Sequence, residues 1–397
     1  NISGNLPEKA YVWVMREDPK NTNLLYAGTE LGLFVSYTGG NSWARLGMKN
    51  LPHVAVHDII IHPRENDLIL GTHGRSIWIF DDATPIQQMT SSIAGGDAHL
   101  FDVRPGLRFT SRFTRYGIGD KVFAGPNPPY GTPITYYLKE KPAEKTAVKI
   151  EILDAAGKVI SEVNEPPKEK GLNRAAWNLR YGGPQVRRPP TEEETAFTGG
   201  PRGPHVLPGT YTVRLTVGDK KIEKPVQVRL DPTIPTVPQA DLQMLHDLTL
   251  KLRDMQSATN GALRMLDSLK DQLQNAEKVI KDRIPDAPKE LTTDVTERLK
   301  QIEALQAKLV RPEEGLGISG RESLISRLGG LFFSMDGTNA APTVYQREYF
   351  NELQSDFRAR IEEVNTFISG TVPQINDTLR RAGAPTIAAG KAIDLPR

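Results

Sequence analysis

The sequence predicts a multidomain chain that is β-rich over its first 235 residues and helical after that. Three observations lead there. Short strand-like runs recur near the start with a period of about 44 residues. Alternating apolar and polar runs, broken by Pro and Gly, then continue to about residue 232. After Pro238 the apolar spacing switches from two to the threes and fours of heptads.

Composition sets the outer bounds. A chain of 397 residues has room for two to four domains. Lys plus Arg (50) nearly balance Asp plus Glu (48), so a net charge of +2 gives no electrostatic case for nucleic acid or an anionic membrane. No stretch approaches the roughly 18 to 20 apolar residues of a membrane span. Cysteine is absent, which excludes thiol catalysis, zinc–cysteine sites and disulfides, and leaves the compartment open.

Residues 1–90 carry the repeat. Pro19 pairs with Pro63, Gly28-Thr29 with Gly71-Thr72, and Leu33-Phe34-Val35 with Ile77-Trp78-Ile79. A unit of this length made of short strands is the size of one four-stranded propeller blade. Two blades cannot close a ring, because each sheet buries its faces only against its neighbours. The chain also opens on Asn1 with no leader visible, so the remaining blades are expected upstream in a longer protein or in a partner chain.

Ser36-Tyr37-Thr38-Gly39-Gly40-Asn41-Ser42-Trp43 follows the Asp-box pattern S-x-D-x-G-x-[TS]-W, with Thr38 where the pattern has Asp. Ser36, Thr38, Gly40, Ser42 and Trp43 are read as structural. Small polar side chains tie back to turn backbone, Gly supplies positive φ, and Trp packs between neighbouring sheets. With GTELGLFVS and THGRSIWIFDDATPIQQM, this segment resembles the final blades of bacterial sortilin-type Asp-box (BNR) propeller proteins, often labelled glycosyl hydrolase. The resemblance implies a secreted, periplasmic or envelope location. It specifies fold well and activity poorly.

Residues 91–235 read as a connector followed by an Ig-like β-sandwich, similar to the FlgD-type modules of secreted bacterial proteins. Within them 182–208 is a Gly-, Pro-, Arg- and Glu-dense loop, either a solvated insertion or a contact arm. Residues 236–397 read as a helical bundle with an extended tail. Leu245, Leu248, Leu252, Met255, Ala262, Leu266, Leu269, Leu273, Ala276 and Ile280 form one stripe, with Thr259 as an interruption. Val295 to Leu309 and Phe350 to Ile368 form two more, with breaks at Pro285, Pro288, Pro312 and Pro342. An antiparallel intramolecular bundle and an intermolecular coiled coil are both open, so an oligomer or multi-chain assembly is a live alternative.

Candidates for chemistry are few. Glu30 and His73 follow the two Gly-Thr pairs, Arg75 lies near, and Asp58 is a second carboxylate for glycoside hydrolysis. The competing reading of these residues is turn stabilisation between blades. His53, His57, His62 and His73 lie close in sequence, but His57 and His62 point to opposite faces of a predicted strand, so no metal site is expected. Asp81-Asp82 fits either a calcium pair or a capped turn. Arg104, Arg108, Arg112 and Arg115 read as the outer face of a strand. No P-loop, GxSxG or HExxH motif occurs, and no cofactor is expected. The function expected is non-catalytic binding or assembly through a propeller surface, with a protein, peptide or glycan ligand. The alternative is a sialidase-like Asp-box glycoside hydrolase whose active site lies mostly upstream.

Overall fold

The computed structural model describes residues 1–47, 50–109, 129–198, 200–233, 236–284, 288–310 and 323–396. It is a mixed β and α protein with several sheets followed by a helical region. The described residues divide into two compact units. One comprises 1–109, 129–179 and 208–231; the other comprises 180–207 and 232–396.

The first unit begins with two sheets of like design. β1 (Val12–Glu17), β2 (Leu25–Thr29), β3 (Gly32–Ser36) and β4 (Ala44–Arg45) form an antiparallel sheet in sequence order. β5 (Val56–Ile61), β6 (Leu68–Thr72) and β7 (Ile77–Phe80) form a three-stranded counterpart. Both first strands carry a bulge at the same place. Val12 pairs with Thr29 and Val14 with Gly28, leaving Trp13 extra; Val56 pairs with Thr72 and Asp58 with Gly71, leaving His57 extra.

Paired residues share a face, so each sheet has a front and a rear. The front of the first sheet holds Val14, Tyr26, Leu33 and Val35, and its rear holds Met15, Ala27 and Phe34. By the same register the rear of the second sheet holds Ile59, Leu68, Leu70 and Trp78, and its front holds Ile60, Ile69, Ile77 and Ile79. The two sheets stack front to rear: Val14, Tyr26, Leu33 and Val35 share a buried cluster with Ile59, Leu68, Leu70 and Trp78. Gly28 permits the close approach, since a Cβ there would lie 2.5 Å from the Val56 carbonyl oxygen. α1 (Thr84–Gln88) closes this cluster with Ile86, and α2 (Ser91–Gly95) follows it.

The remainder of the unit is two further sheets. β8 (Ala98–Leu100), β10 (Thr132–Leu138) and β13 (Gly171–Trp177) give the order β13-β10-β8. β9 (Gly106–Arg108), β11 (Val148–Leu153), β12 (Val159–Val163), β14 (Gly209–Val217) and β15 (Lys220–Leu230) give β12-β11-β14-β15-β9, with β9 parallel to β15. Alternation buries Ile134, Tyr136 and Leu138 from one sheet and Ile150, Ile152, Val213 and Leu215 from the other. Trp177 and Tyr211 meet edge to face between them, with ring centroids 5.6 Å apart. The segment read as a connector therefore supplies a strand to each sheet. Arg108 corrects its expected outer-face position: it is buried in β9, while Arg112 and Arg115 lie outside the described residues.

The second unit is built on α4 (Gln239–Arg283), 45 residues long and so about 68 Å. α5 (Lys289–Leu309), α6 (Leu324–Met335), α7 (Val344–Thr366) and α8 (Val372–Arg381) pack with it around one apolar core. Within α4, Thr259 is fully buried in the stripe, and its hydroxyl donates to the Met255 carbonyl at 2.8 Å. Phe367–Thr371 is a π turn leading into α8, where Pro373 cannot donate to the preceding turn. The loop read at 182–208 differs from a solvated insertion: it contains the short helix α3 (Glu192–Thr198) and lies along α4. Arg187 pairs with Asp267 at 2.6 Å, and Ser257 accepts from the Gln185 N–H at 3.1 Å. The buried Arg180–Asp336 pair, at 2.7 Å, anchors its start to the end of α6.

Candidate functional site

The two bulges create the site. An extra residue in a strand opposes no ladder partner, so its side chain is released from the face its neighbours occupy. Trp13 and His57 are those residues, and their rings lie 4.3 Å apart between centroids. His57 in turn stacks on His73 at 4.9 Å. The turns after β2 and β6 fix the flanks in the same way twice. Glu30 N–H donates to the Tyr11 carbonyl and His73 N–H to the Ala55 carbonyl, each at 2.9 Å. Glu30 then accepts from Trp13 Nε1 at 2.9 Å. The result is an exposed row of Trp13, His57 and His73 across both sheets, with Trp13 at 53% exposure and Glu30 at one end.

The expected carboxylates are both engaged. Asp58 accepts from Arg16 at 3.0 Å, while Arg16 also donates to the Ile59 carbonyl at 3.0 Å, joining β1 to β5. Asp58 further accepts from the Ile59 N–H at 2.9 Å. Glu30 is held by Trp13 through one oxygen, beside the ring row. Arg75 is exposed in the turn next to His73, and its carbonyl accepts from Trp78 Nε1 at 2.8 Å. The other histidines are elsewhere: His53 meets Arg45 at 3.1 Å, and His62 Nδ1 accepts from Glu65 N–H at 3.0 Å. Among the described residues no three His, Asp or Glu side chains converge as a metal site would require.

The Ser36–Trp43 turn is a closed hydrogen-bonded loop. Ser36 Oγ accepts from the N–H groups of Thr38 (3.2 Å) and Gly40 (2.9 Å). Thr38 Oγ1 accepts from Ser42 N–H at 2.9 Å, the acceptor role an aspartate would fill. Gly39 and Gly40 both have positive φ. Trp43 is buried on the rear of the first sheet with Ala27 and Phe34, where Leu6 and the Ile2 carbonyl meet it. Asp82 is buried and accepts from Thr84 N–H at 3.1 Å at the start of α1.

Sequence reasoning missed Trp13, and missed a buried network at the opposite end of the same strands. Asp18 accepts from Tyr26 OH (3.0 Å) and Gln87 Nε2 (2.9 Å), and Gln87 exchanges two further bonds with Asn66. Burial, reinforced by Asp18, holds the Tyr26 hydroxyl far above its ordinary titration range, so it stays a donor. In the helical unit a cleft beside α8 is lined by Ile368, Val372 and Arg380, but the Asn376 amide there is taken up by the Ile387 backbone.

No family model matches the chain, and no curated protein matches it. The solved structures that align include two of the extracellular domain of BT4673 from B. thetaiotaomicron, described once as a hybrid two-component system and once as a one-component system. The first gives 10% identity and a TM-score of 0.17, the second 9% and 0.15. Each alignment covers 57% of this chain and 26% of that chain, so this chain spans about a quarter of those structures. Likeness at this level carries no argument. Among the described residues no helix is long and apolar enough to cross a membrane.

Proposed function

We propose that the chain is part of a non-catalytic recognition protein exported from a bacterial cell, binding its ligand at the Trp13–His57–His73 row. On this reading the first two sheets are blades of an Asp-box propeller, the next two an Ig-like module, and the helices a docking or spacing element. The repeated bulge carries the proposal. It puts solvent-exposed rings at equivalent points of successive sheets, with Glu30 and Asp58 already committed to Trp13 and Arg16. Exposed rings flanked by hydrogen-bonding groups suit a glycan or peptide face. A hydrolase needs two carboxyl groups facing each other across a scissile bond, whereas Glu30 is oriented by Trp13 and Asp58 by Arg16.

The test uses the full-length protein on glycan and peptide arrays, with Trp13→Ala and His57→Ala beside the parent. Binding that disappears in both variants, with thermal melts unchanged, supports the proposal. Hydrolysis of a fluorogenic glycoside that is lost in Glu30→Gln would overturn it in favour of the hydrolase.

A further inference from the structure

Residues 382–396, which follow α8, form neither helix nor strand, and beyond Ala384 none of their backbone groups bonds another backbone group among the described residues. Side-chain amides take that role. Asn376 of α8 donates to the Ile387 carbonyl and accepts from the Ile387 N–H, both at 2.7 Å. Gln272 of α4 does the same for Ala388, at 3.1 and 2.7 Å. Asn365 of α7 does it for Ile393, at 3.0 and 2.8 Å. A residue can offer its N–H and its C=O to one amide only when the two point the same way, as they do in a β-ladder. Each amide therefore stands in for the peptide group of a neighbouring strand. Ile387 and Ala388, adjacent in sequence, are gripped from α8 and from α4, so the segment is a strap laid between two helices.

These clamps read backbone and leave side-chain choice to the sockets beside them. Ile387 fills one, at 4% exposure, and Ile393 packs on the same apolar core. Within 382–396 only Ala384 and Ile387 are buried. The residues after Ile387 are small, Ala388, Ala389 and Gly390, and they leave space. A cleft of about 480 Å³ stays open between them and α8, floored by Ile368, Val372 and Pro373. Its charged groups, Asp377 and Arg380, pair with each other at 2.8 Å.

We infer that this groove binds an extended peptide segment of a partner protein, and that the strap is its resident competitor. The segment carries a branched apolar residue for the Ile387 socket and a large apolar residue two positions on, where the strap has Ala389. The open cleft selects that occupant. A second copy's strap would make only the contacts already made in cis, where tethering gives an effective concentration of millimolar order. A foreign segment displaces the strap by adding contacts the strap lacks, and the apolar floor under Ala389 is where they can be added. The groove lies wholly in the helical unit, so this inference and the recognition proposed at the Trp13 row stand or fall separately.

The test titrates two fluorescein-labelled peptides of residues 382–396, one unchanged and one carrying Ala389→Leu, against the 397-residue chain by fluorescence anisotropy. The Ala389→Leu peptide should bind at least about tenfold more tightly than the unchanged one. Releasing the resident strap with Ile387→Asp in the chain should tighten both by at least about tenfold. Adding Gln272→Ala and Asn376→Ala should weaken both by about as much again. Failure of both peptides to bind the Ile387→Asp chain, equal affinity of the two, or binding indifferent to the two amides would overturn the inference. So would a parent chain that dimerises with concentration and is returned to monomer by the unchanged peptide, since a second copy would then be the occupant. Should Ile387→Asp fail to fold, hydrogen exchange in the parent decides. The N–H groups of Ile387, Ala388 and Ile393 should exchange at least about a hundredfold faster than those of Leu263 and Leu269 in α4, and equal rates would make the strap a fixed part of the core and sink the idea.

Discussion

Replacing Asp18 with alanine should unfold the β unit at markedly lower denaturant, and the size of the effect follows from its four bonds. The carboxylate accepts from Lys20 N–H (2.8 Å), Asn21 N–H (3.1 Å), Tyr26 OH (3.0 Å) and Gln87 Nε2 (2.9 Å). Gln87 keeps a second acceptor in Asn66 after the change, but the Tyr26 hydroxyl is left buried without one. An orphaned buried donor costs about 1–3 kcal/mol, and each lost bond to a charged acceptor about 1.5–3 kcal/mol. The desolvation penalty of the carboxylate is relieved at the same time, which offsets part of the sum. A net loss of about 3 kcal/mol is therefore expected. With a urea m of roughly 2 kcal/mol/M, the midpoint falls by about 1.5 M. All four tryptophans (Trp13, Trp43, Trp78 and Trp177) lie in the β unit, so their fluorescence reports its unfolding without interference from the helices. Tyr26→Phe should cost less, about 1–2 kcal/mol, and the double variant should cost clearly less than the two added. A midpoint shift below about 0.3 M, or strict additivity, would refute the idea that this network clamps the two sheets and α1 together.

Three other outcomes follow from single contacts. Gly28→Ala should destabilise the same unit by about 1–3 kcal/mol, read by the same fluorescence, because its Cβ meets the Val56 carbonyl at 2.5 Å. Thr259→Val exchanges a buried hydroxyl for a methyl in an apolar stripe, and the helical unit should melt a few degrees higher by far-UV circular dichroism, about 0.5–1 kcal/mol. The Lys224 ammonium, opposed by burial and helped by Gln88, holds the Asp102 carboxyl below its ordinary 3.8. Its contribution is therefore present above that value and lost as pH falls through the lower folded value. Urea midpoints of Asp102→Asn and the parent should differ at pH 6 and converge toward pH 2; a difference that persists in acid would assign the effect to packing.

The repeat was legible because its punctuation is local. Gly28-Thr29 and Gly71-Thr72 end equivalent strands, and a turn chemistry that recurs at a fixed spacing survives side-chain divergence. The long stripe of α4 was legible for the same reason. What escaped was whatever depends on residues distant in sequence. Counting by twos treats β1 as unbroken and files Trp13 with Met15 on one face, whereas the bulge takes it off the ladder. Asn66, between β5 and β6, and Gln87, in α1, carry no sequence signal that links them, and only the stacking of two sheets brings them to Asp18. Arg108 was read outward because charge usually is, yet it is buried at the end of β9, the edge strand of the five-stranded sheet. α6 escaped although Leu324, Leu328, Leu331, Phe332 and Met335 keep a helical spacing, because it is short and Gly329 and Gly330 in its middle lower its intrinsic helix preference.

The bulge separates two demands that a plain strand would set against each other. Alternation assigns every residue of β1 and β5 to the front or the rear, and both faces of a stacked sheet must stay apolar. A ligand-facing side chain inserted into that alternation would cost packing on one side. An extra residue avoids the conflict: Val14 and Met15 resume the two faces, while Trp13 belongs to neither. The second sheet repeats the geometry with a different ring, His57, while Ile59 and Leu70 keep its rear packed on the first sheet. On the proposed recognition reading, positions 13 and 57 are where residue identity can change with the ligand at little cost to stability. Trp13→His and His57→Trp should accordingly keep the parent's urea midpoint while altering what the row binds.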